Sequence, residues 1–165
     1  MPGGERTGRA KDPAGEGPVR CERKKKMKLF IGGYAQGKLN YVFQREKRKN
    51  PSKPESGFAV WDGEIPEKEQ AAEALAQGKR IVINRFHEWV RTCMRQGEEP
   101  EERLEAFLKQ CPGSMIISDE IGNGIVPVDG FERAYRERTG RLLVLLAERA
   151  DEVVRVICGI GQKIK

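Results

Sequence analysis

The chain has 165 residues, 31 Lys and Arg against 25 Asp and Glu, a single His, and 38% apolar and 34% charged residues. That is the length of one domain with matter for one core, and no apolar run approaches the ~18–20 residues of a membrane span. The net charge of +6 is uneven: residues 1–26 carry eight basic and four acidic side chains, which leaves +2 for the rest, so the domain lacks the basic patch expected of a nucleic-acid-binding module.

Residues 1–26 are rich in Gly, Pro and charge and cannot bury enough surface to offset ordering entropy, so a disordered basic leader is expected. Met27 opens a different kind of sequence, and the expectation is that translation starts there and the leader is a misassigned extension. The alternative is a basic targeting or anchoring arm. The domain is then 27–165. Cys21, Cys93, Cys111 and Cys158 form no C-x-x-C pair, and there is no signal peptide. Reduced thiols and a cytoplasmic location are expected, and with one His a structural zinc site is not.

Leu29-Phe30-Ile31 is a short apolar run ending in glycines, a buried strand entering a turn. Residues 38–48 suit a helix with Leu39, Val42 and Phe43 on one face. Residues 50–64, with two Pro and two Gly, read as a loop. Pro66 to Gln77 reads as a helix closed by Gly78. Arg80–Asn84 is a second strand, followed by a helix to about Arg95 and another from about Pro100 to Gln110. Ser114–Ser118 is a third strand, residues 130–150 the longest helix, and Val153–Cys158 a fourth strand. The alternation predicts an α/β fold: a mostly parallel central sheet between two helical layers.

The stretch Gly32-Gly33-Tyr34-Ala35-Gln36-Gly37-Lys38-Leu39 holds G-x-x-x-x-G-K between a strand and a helix, the context of a phosphate-binding P-loop. Its glycines would let backbone N–H groups wrap a phosphate chain, the helix N-terminus would face the same anion, and Lys38 would neutralise the β- and γ-phosphates. Gly32, Gly33, Gly37 and Lys38 are the nucleotide-binding candidates. The Ser or Thr that binds Mg²⁺ in the full motif is replaced by Leu39, so a Mg²⁺ ion would need other carboxylates. The competing reading is a glycine-rich turn that binds nothing.

The third strand runs into Asp119-Glu120. Acids at the carboxyl end of a strand suit metal binding or orientation of a nucleophile, so both are metal candidates, and Glu120 joins Lys38 as a catalytic one. Adjacent side chains point to opposite faces, so one acid should face the site. Turn capping by Asp119 is the alternative. His87 follows the second strand and is either a nucleophile or general base, or a hydrogen-bonded helix histidine.

Asp119-Glu120-Ile121-Gly122-Asn123-Gly124-Ile125-Val126-Pro127, Arg133 through Arg141, Ala150 through Val154 and the run Gly159 to Lys165 resemble the bifunctional adenosylcobinamide kinase/adenosylcobinamide-phosphate guanylyltransferase family of cobalamin biosynthesis. Gly32-Gly33 and Gly37-Lys38 stand where that family keeps its P-loop. The resemblance implies a P-loop NTPase-like fold and two reactions. A nucleotide, GTP or ATP with Mg²⁺, phosphorylates the aminopropanol hydroxyl of adenosylcobinamide, and GTP then donates GMP to that phosphate through a guanylylated histidine. A homo-oligomer follows only from the resemblance. The middle of the chain departs from the pattern. Residues 39–80 hold no histidine where the family has its guanylylated one, and Asn84 stands where the family has a nucleotide-binding glutamate. His87 is then the one histidine available as a nucleophile. Two further readings compete: a catalytically degenerate nucleotide-binding regulator or partner protein, and a nucleic-acid-binding module driven by the leader.

Overall fold

The computed structural model describes residues 26–49, 51 and 57–165; the leader up to residue 25, Cys21 included, and residues 50 and 52–56 of the expected loop lie outside them. In chain order the elements are β1 (Lys28–Gly32), α1 (Lys38–Lys49), β2 (Phe58–Asp62), α2 (Lys68–Ala76), β3 (Arg80–Asn84), α3 (Phe86–Gln96), α4 (Pro100–Gln110), β4 (Met115–Asp119), α5 (Gly130–Arg149), β5 (Glu152–Ile157) and β6 (Ile160–Lys163). Among the described residues one six-stranded sheet forms in the order β2-β3-β4-β1-β5-β6. Its pairs are parallel except β5 with β6. This is the three-layer α/β architecture that the alternation predicts.

The strands are apolar because both sheet faces are covered. Alternation then divides each strand between two cores. Leu29, Ile81, Ile83, Ile116 and Val153 face a large core built with α2, α3, α4 and α5, including Phe86, Trp89, Leu104, Leu142 and Leu146. Phe30, Val82, Met115, Ile117, Val154 and Val156 face a smaller one, where α1 contributes Val42. Leu39 packs against this second core, which gives the P-loop position a packing role that a Ser or Thr hydroxyl would not fill.

The helix signals hold locally. Glu67 and Gln70 form a capping box at the start of α2, Pro100 opens α4, and Asp129 caps α5 by accepting the Glu132 N–H at 2.9 Å. Pro66 and Glu67 precede the helix expected to start at Pro66. Two strands were not expected. Phe58–Asp62, within the predicted loop 50–64, is the parallel edge strand β2, only partly buried. Ile160–Lys163 is β6, joined to β5 by a two-residue turn with positive φ at Cys158 (49°) and Gly159 (77°). That is the twist-matched form of a tight hairpin, and it places Cys158 in the turn rather than in the fourth strand. Cys93 and Cys111 are buried, Cys158 is exposed, and none of the three is in a disulfide. No helix among the described residues is long and apolar enough to cross a membrane.

Candidate functional site

Strand order places β1 beside β4, and the helices that follow them leave on opposite faces, α1 over the smaller core and α5 over the larger. In such a sheet a crevice opens beyond the carboxyl ends at this switch point. The glycine loop lies there, between β1 and α1. Gly32 has no room for a side chain, since a Cβ would come within 2.3 Å of the Val156 carbonyl oxygen, and Gly37 turns into α1 with φ of 72°.

Lys38 is buried on this floor. Its Nζ lies 2.5 Å from Asp119 Oδ1 and donates to the carbonyl oxygens of Gly33 at 2.7 Å and Gly32 at 3.4 Å. Parallel register sets Asp119 beside Gly32, so the lysine of the loop and the acid of β4 meet through the sheet itself. Glu120 diverges. Its N–H donates to the Gly32 carbonyl at 2.9 Å, and its carboxylate accepts from Arg155 Nε at 3.1 Å. One acid therefore faces Lys38, and it is Asp119.

His87, in the first turn of α3, is brought to the same point and is 5% exposed. Its Nδ1 accepts the Asp119 N–H at 3.1 Å. The neutral ring then carries its proton on Nε2, which stands 3.7 Å from Asp119 Oδ2 and 3.6 Å from Glu88 Oε1. Burial pulls the imidazole below its ordinary value, against the opposing charges of Asp119 and Glu88. The Tyr135 hydroxyl, pushed well above the ordinary phenol range chiefly by burial, donates to the His87 carbonyl at 3.0 Å.

Lys38, Asp119 and His87 thus form one contiguous group beside Gly32, Gly33 and Gly37, with Glu120 turned toward β5. Two residues at the neighbouring edge, Asp62 and Arg85, escaped the sequence, and they meet Asn84 there. Asp62 accepts from Arg85 Nε and Nη2 at 2.7 and 2.6 Å and from Asn84 Nδ2 at 2.8 Å. The Arg85 hydrogen bonds hold its carboxyl below the usual range. The one available signal was Asp62 ending a strand in register with Asn84, visible only once Phe58–Asp62 is recognised as a strand.

A strand–glycine loop–helix unit whose lysine rests on an acid of the neighbouring parallel strand defines an α/β domain of the P-loop class. The family description "Cobinamide kinase / cobinamide phosphate guanyltransferase" matches residues 45–164, and the chain belongs to that family. The match begins after the glycine loop, so the loop stands on its own pattern and geometry. The bifunctional adenosylcobalamin biosynthesis protein CobU of Escherichia coli is 39% identical over 80 residues, 47% of this chain and 44% of the relative. The Salmonella typhimurium protein of that name is 38% identical over 80 residues with the same shares. Bifunctional adenosylcobalamin biosynthesis protein CobP of Pseudomonas aeruginosa is 34% identical over 65 residues, 39% of this chain and 38% of the relative. The chain matches less than half the length of each of these relatives.

Proposed function

We propose that the chain transfers a phosphoryl group from a nucleoside triphosphate to the aminopropanol hydroxyl of adenosylcobinamide. The observation that carries this is the Lys38–Asp119 contact of 2.5 Å on the floor of the glycine loop, in a chain of the cobinamide kinase family. Phosphate oxygens entering the loop meet the N–H groups of the first turn of α1. They are also stronger acceptors for Lys38 than the Gly32 and Gly33 carbonyls it now holds. As Lys38 turns to the phosphate, Asp119 loses its partner and becomes available. Mg²⁺ would supply charge neutralisation across the β- and γ-phosphates. Among the described residues no group of three or more acids, cysteines and histidines could hold an ion. Asp119 with phosphate oxygens and water suits a cation that needs only one or two carboxylates. Leu39 contributes no ligand, and Glu120 is engaged by Arg155.

The second family reaction, GMP transfer by way of a histidine, has weaker support. His87 is the sole histidine of the chain, is buried, and has its lone pair directed at the Asp119 N–H. It offers no free nucleophilic nitrogen. The packing of Leu39 against the smaller core favours a second reading, nucleotide binding without turnover. The test is incubation of the full chain with adenosylcobinamide, ATP, GTP and Mg²⁺, with the corrinoid followed by mass spectrometry. Corrinoid phosphate without GDP-linked corrinoid is expected. No corrinoid product, alongside measurable nucleotide binding, would replace this reading with the degenerate one.

A further inference from the structure

Arg85 sits in a conformation that its residue type does not favour. It is the one residue between β3 and α3, with φ of 51° and ψ of 47°, the left-handed region that suits Gly, Asn and Asp. It is also the N-cap of α3, and no side chain caps that helix. Asn or Asp would tolerate this backbone and accept the first N–H groups of the helix, whereas a guanidinium has no acceptor to offer. The ion pair with Asp62 does not explain the choice either. It is bidentate, at 2.7 and 2.6 Å, but the two side chains are 55% and 51% exposed. A pair so open to water contributes less than a left-handed non-glycine residue costs.

What the turn does accomplish is presentation. A sharp, strained turn from a parallel strand into a helix lifts its side chain above the carboxyl end of the sheet, where ligands sit. β3 lies next to β4, and β4 next to β1, so Arg85 stands two strand spacings, roughly 10 Å, from the glycine loop after β1. His87 and Glu88 follow it in the first turn of α3. The Asp62 hydrogen bonds chiefly raise the guanidinium above its ordinary value, and the charges of Glu88 and Asp119 act in the same direction. Asp119 is the acid that holds Lys38, so the exposed cation and the buried one address the same carboxylate.

We propose that Arg85 leaves Asp62 to grip the phosphoryl group as it is transferred to the corrinoid, a role that rests on the kinase reading. In that step the corrinoid hydroxyl oxygen bonds to the γ-phosphorus, and the bond from that phosphorus to the β–γ bridging oxygen breaks. The nucleoside diphosphate leaves with the electron pair, and the hydroxyl proton passes to water. Negative charge spreads over the three equatorial oxygens of the moving group. Lys38 meets that charge as a point cation, whereas a guanidinium fork offers two parallel N–H groups to two of those oxygens. Asp62 holds the fork until the more highly charged triphosphate arrives.

The experiment compares Arg85→Gly, Arg85→Lys and Asp62→Asn with the unaltered full chain. The readouts are melting temperature and initial rates of corrinoid phosphate formation from ATP or GTP with Mg²⁺. Glycine relaxes the left-handed turn, so Arg85→Gly should melt within about 3 °C of the unaltered chain. It should nevertheless lose about 100-fold in kcat, while the KM for nucleotide changes by less than about 3-fold. Added guanidinium ion at millimolar concentration should restore part of the rate to Arg85→Gly, and sodium chloride at the same concentration should not. Arg85→Lys keeps the charge without the fork and should fall between. Asp62→Asn frees the arginine and should retain most of the unaltered rate. Equal losses of rate or of melting temperature in Arg85→Gly and Asp62→Asn would overturn the role and make the pair a structural tie. So would a rate in Arg85→Gly within about 3-fold of the unaltered one. An unaltered chain that binds nucleotide and forms no corrinoid phosphate would overturn the kinase reading, and this role with it.

Discussion

The two ends of the sheet carry similar residues in opposite settings. At the carboxyl end, one lysine is buried against one acid beside a glycine loop. At the amino end, a cavity of about 800 Å³ is lined by Lys28, Lys49, Lys79, Arg80 and Lys163, with Asp151 and Glu152 as its acids. By charge alone the second would be the anion site. Helix direction argues the reverse. α1 and α3 begin at the carboxyl end and direct N–H groups toward it. α1, α2, α4 and α5 finish at the amino end, with carbonyls that favour cations. The last turns of α1, α4 and α5 hold Lys47, Arg48, Lys49, Lys109 and Arg149 accordingly. At the amino end Lys28 and Arg80 are held by Glu46 and Lys49 stands in the last turn of α1, whereas at the carboxyl end the buried cation beside the glycine loop is Lys38, which a ligand can recruit.

Substitution at each end breaks this comparison most directly. Lys38→Ala should lower corrinoid phosphorylation on the order of 1,000-fold, the scale of removing one positioned electrostatic donor. Lys79→Ala should leave turnover within about 2-fold. Comparable losses in both, measured as initial rates, would mean that the amino-end cavity takes part in the reaction.

The next effect concerns stability. Glu46 is 1% exposed on α1 and pairs with Lys28 at 2.6 Å and with Arg80. Burial raises its carboxyl, but the hydrogen bonds and charges of Lys28 and Arg80 outweigh burial and hold it below 4.5. A carboxyl depressed on folding contributes stability above its unfolded value, lost as pH falls through the folded one. Acid unfolding should therefore begin below about pH 4.5 and be blunted in Glu46→Ala. That variant leaves two part-buried cations unpaired and should cost roughly 2–3 kcal/mol in urea denaturation at pH 7. A cost under ~0.5 kcal/mol would make the pair a surface contact in energetic terms.

Much of this was legible because local and tertiary signals agree. The runs Leu29–Ile31, Arg80–Asn84 and Ser114–Ser118 are short, β-rich and flanked by helical periods, and each became a strand of the sheet. Gly32 to Lys38 carries its own turn chemistry. What stayed hidden depends on partners. Phe58–Asp62 is an edge strand that borrows its order from β3, and Gly57, Gly63 and the prolines around it resemble loop punctuation. Ile160–Lys163 is largely polar, and its hairpin has Cys158 where a residue tolerant of positive φ would have announced the turn. At the site, alternation implied that Asp119 and Glu120 would diverge, but which one faced Lys38 was set by the register of β4 on β1. The role of His87 was likewise undetermined, since a histidine after a strand can be nucleophile or scaffold until its lone pair is located.

The smallest effect separates those two roles. If His87 holds Asp119 in place through the backbone N–H, His87→Ala should lower kcat about 10-fold, in the range for residues that orient a functional carboxylate, while the KM for nucleotide changes little. His87→Gln, whose side-chain oxygen can accept the same N–H, should recover much of the loss. A nucleophile would behave otherwise, because glutamine cannot carry GMP, and incubation with α-labelled GTP would leave an acid-labile label on the unaltered chain. The imidazole should titrate below 6.5, the value from which burial lowers it. The unfolded chain then binds that proton more readily than the folded one, and stability contributed by the neutral ring declines as pH falls from 6.5 through the folded value. A His87 resonance titrating above 6.5 would mean that Asp119 and Glu88 outweigh burial. At any pH below that value the ring would be a cation with two donors, unable to accept the Asp119 N–H, and the orienting role would be lost there.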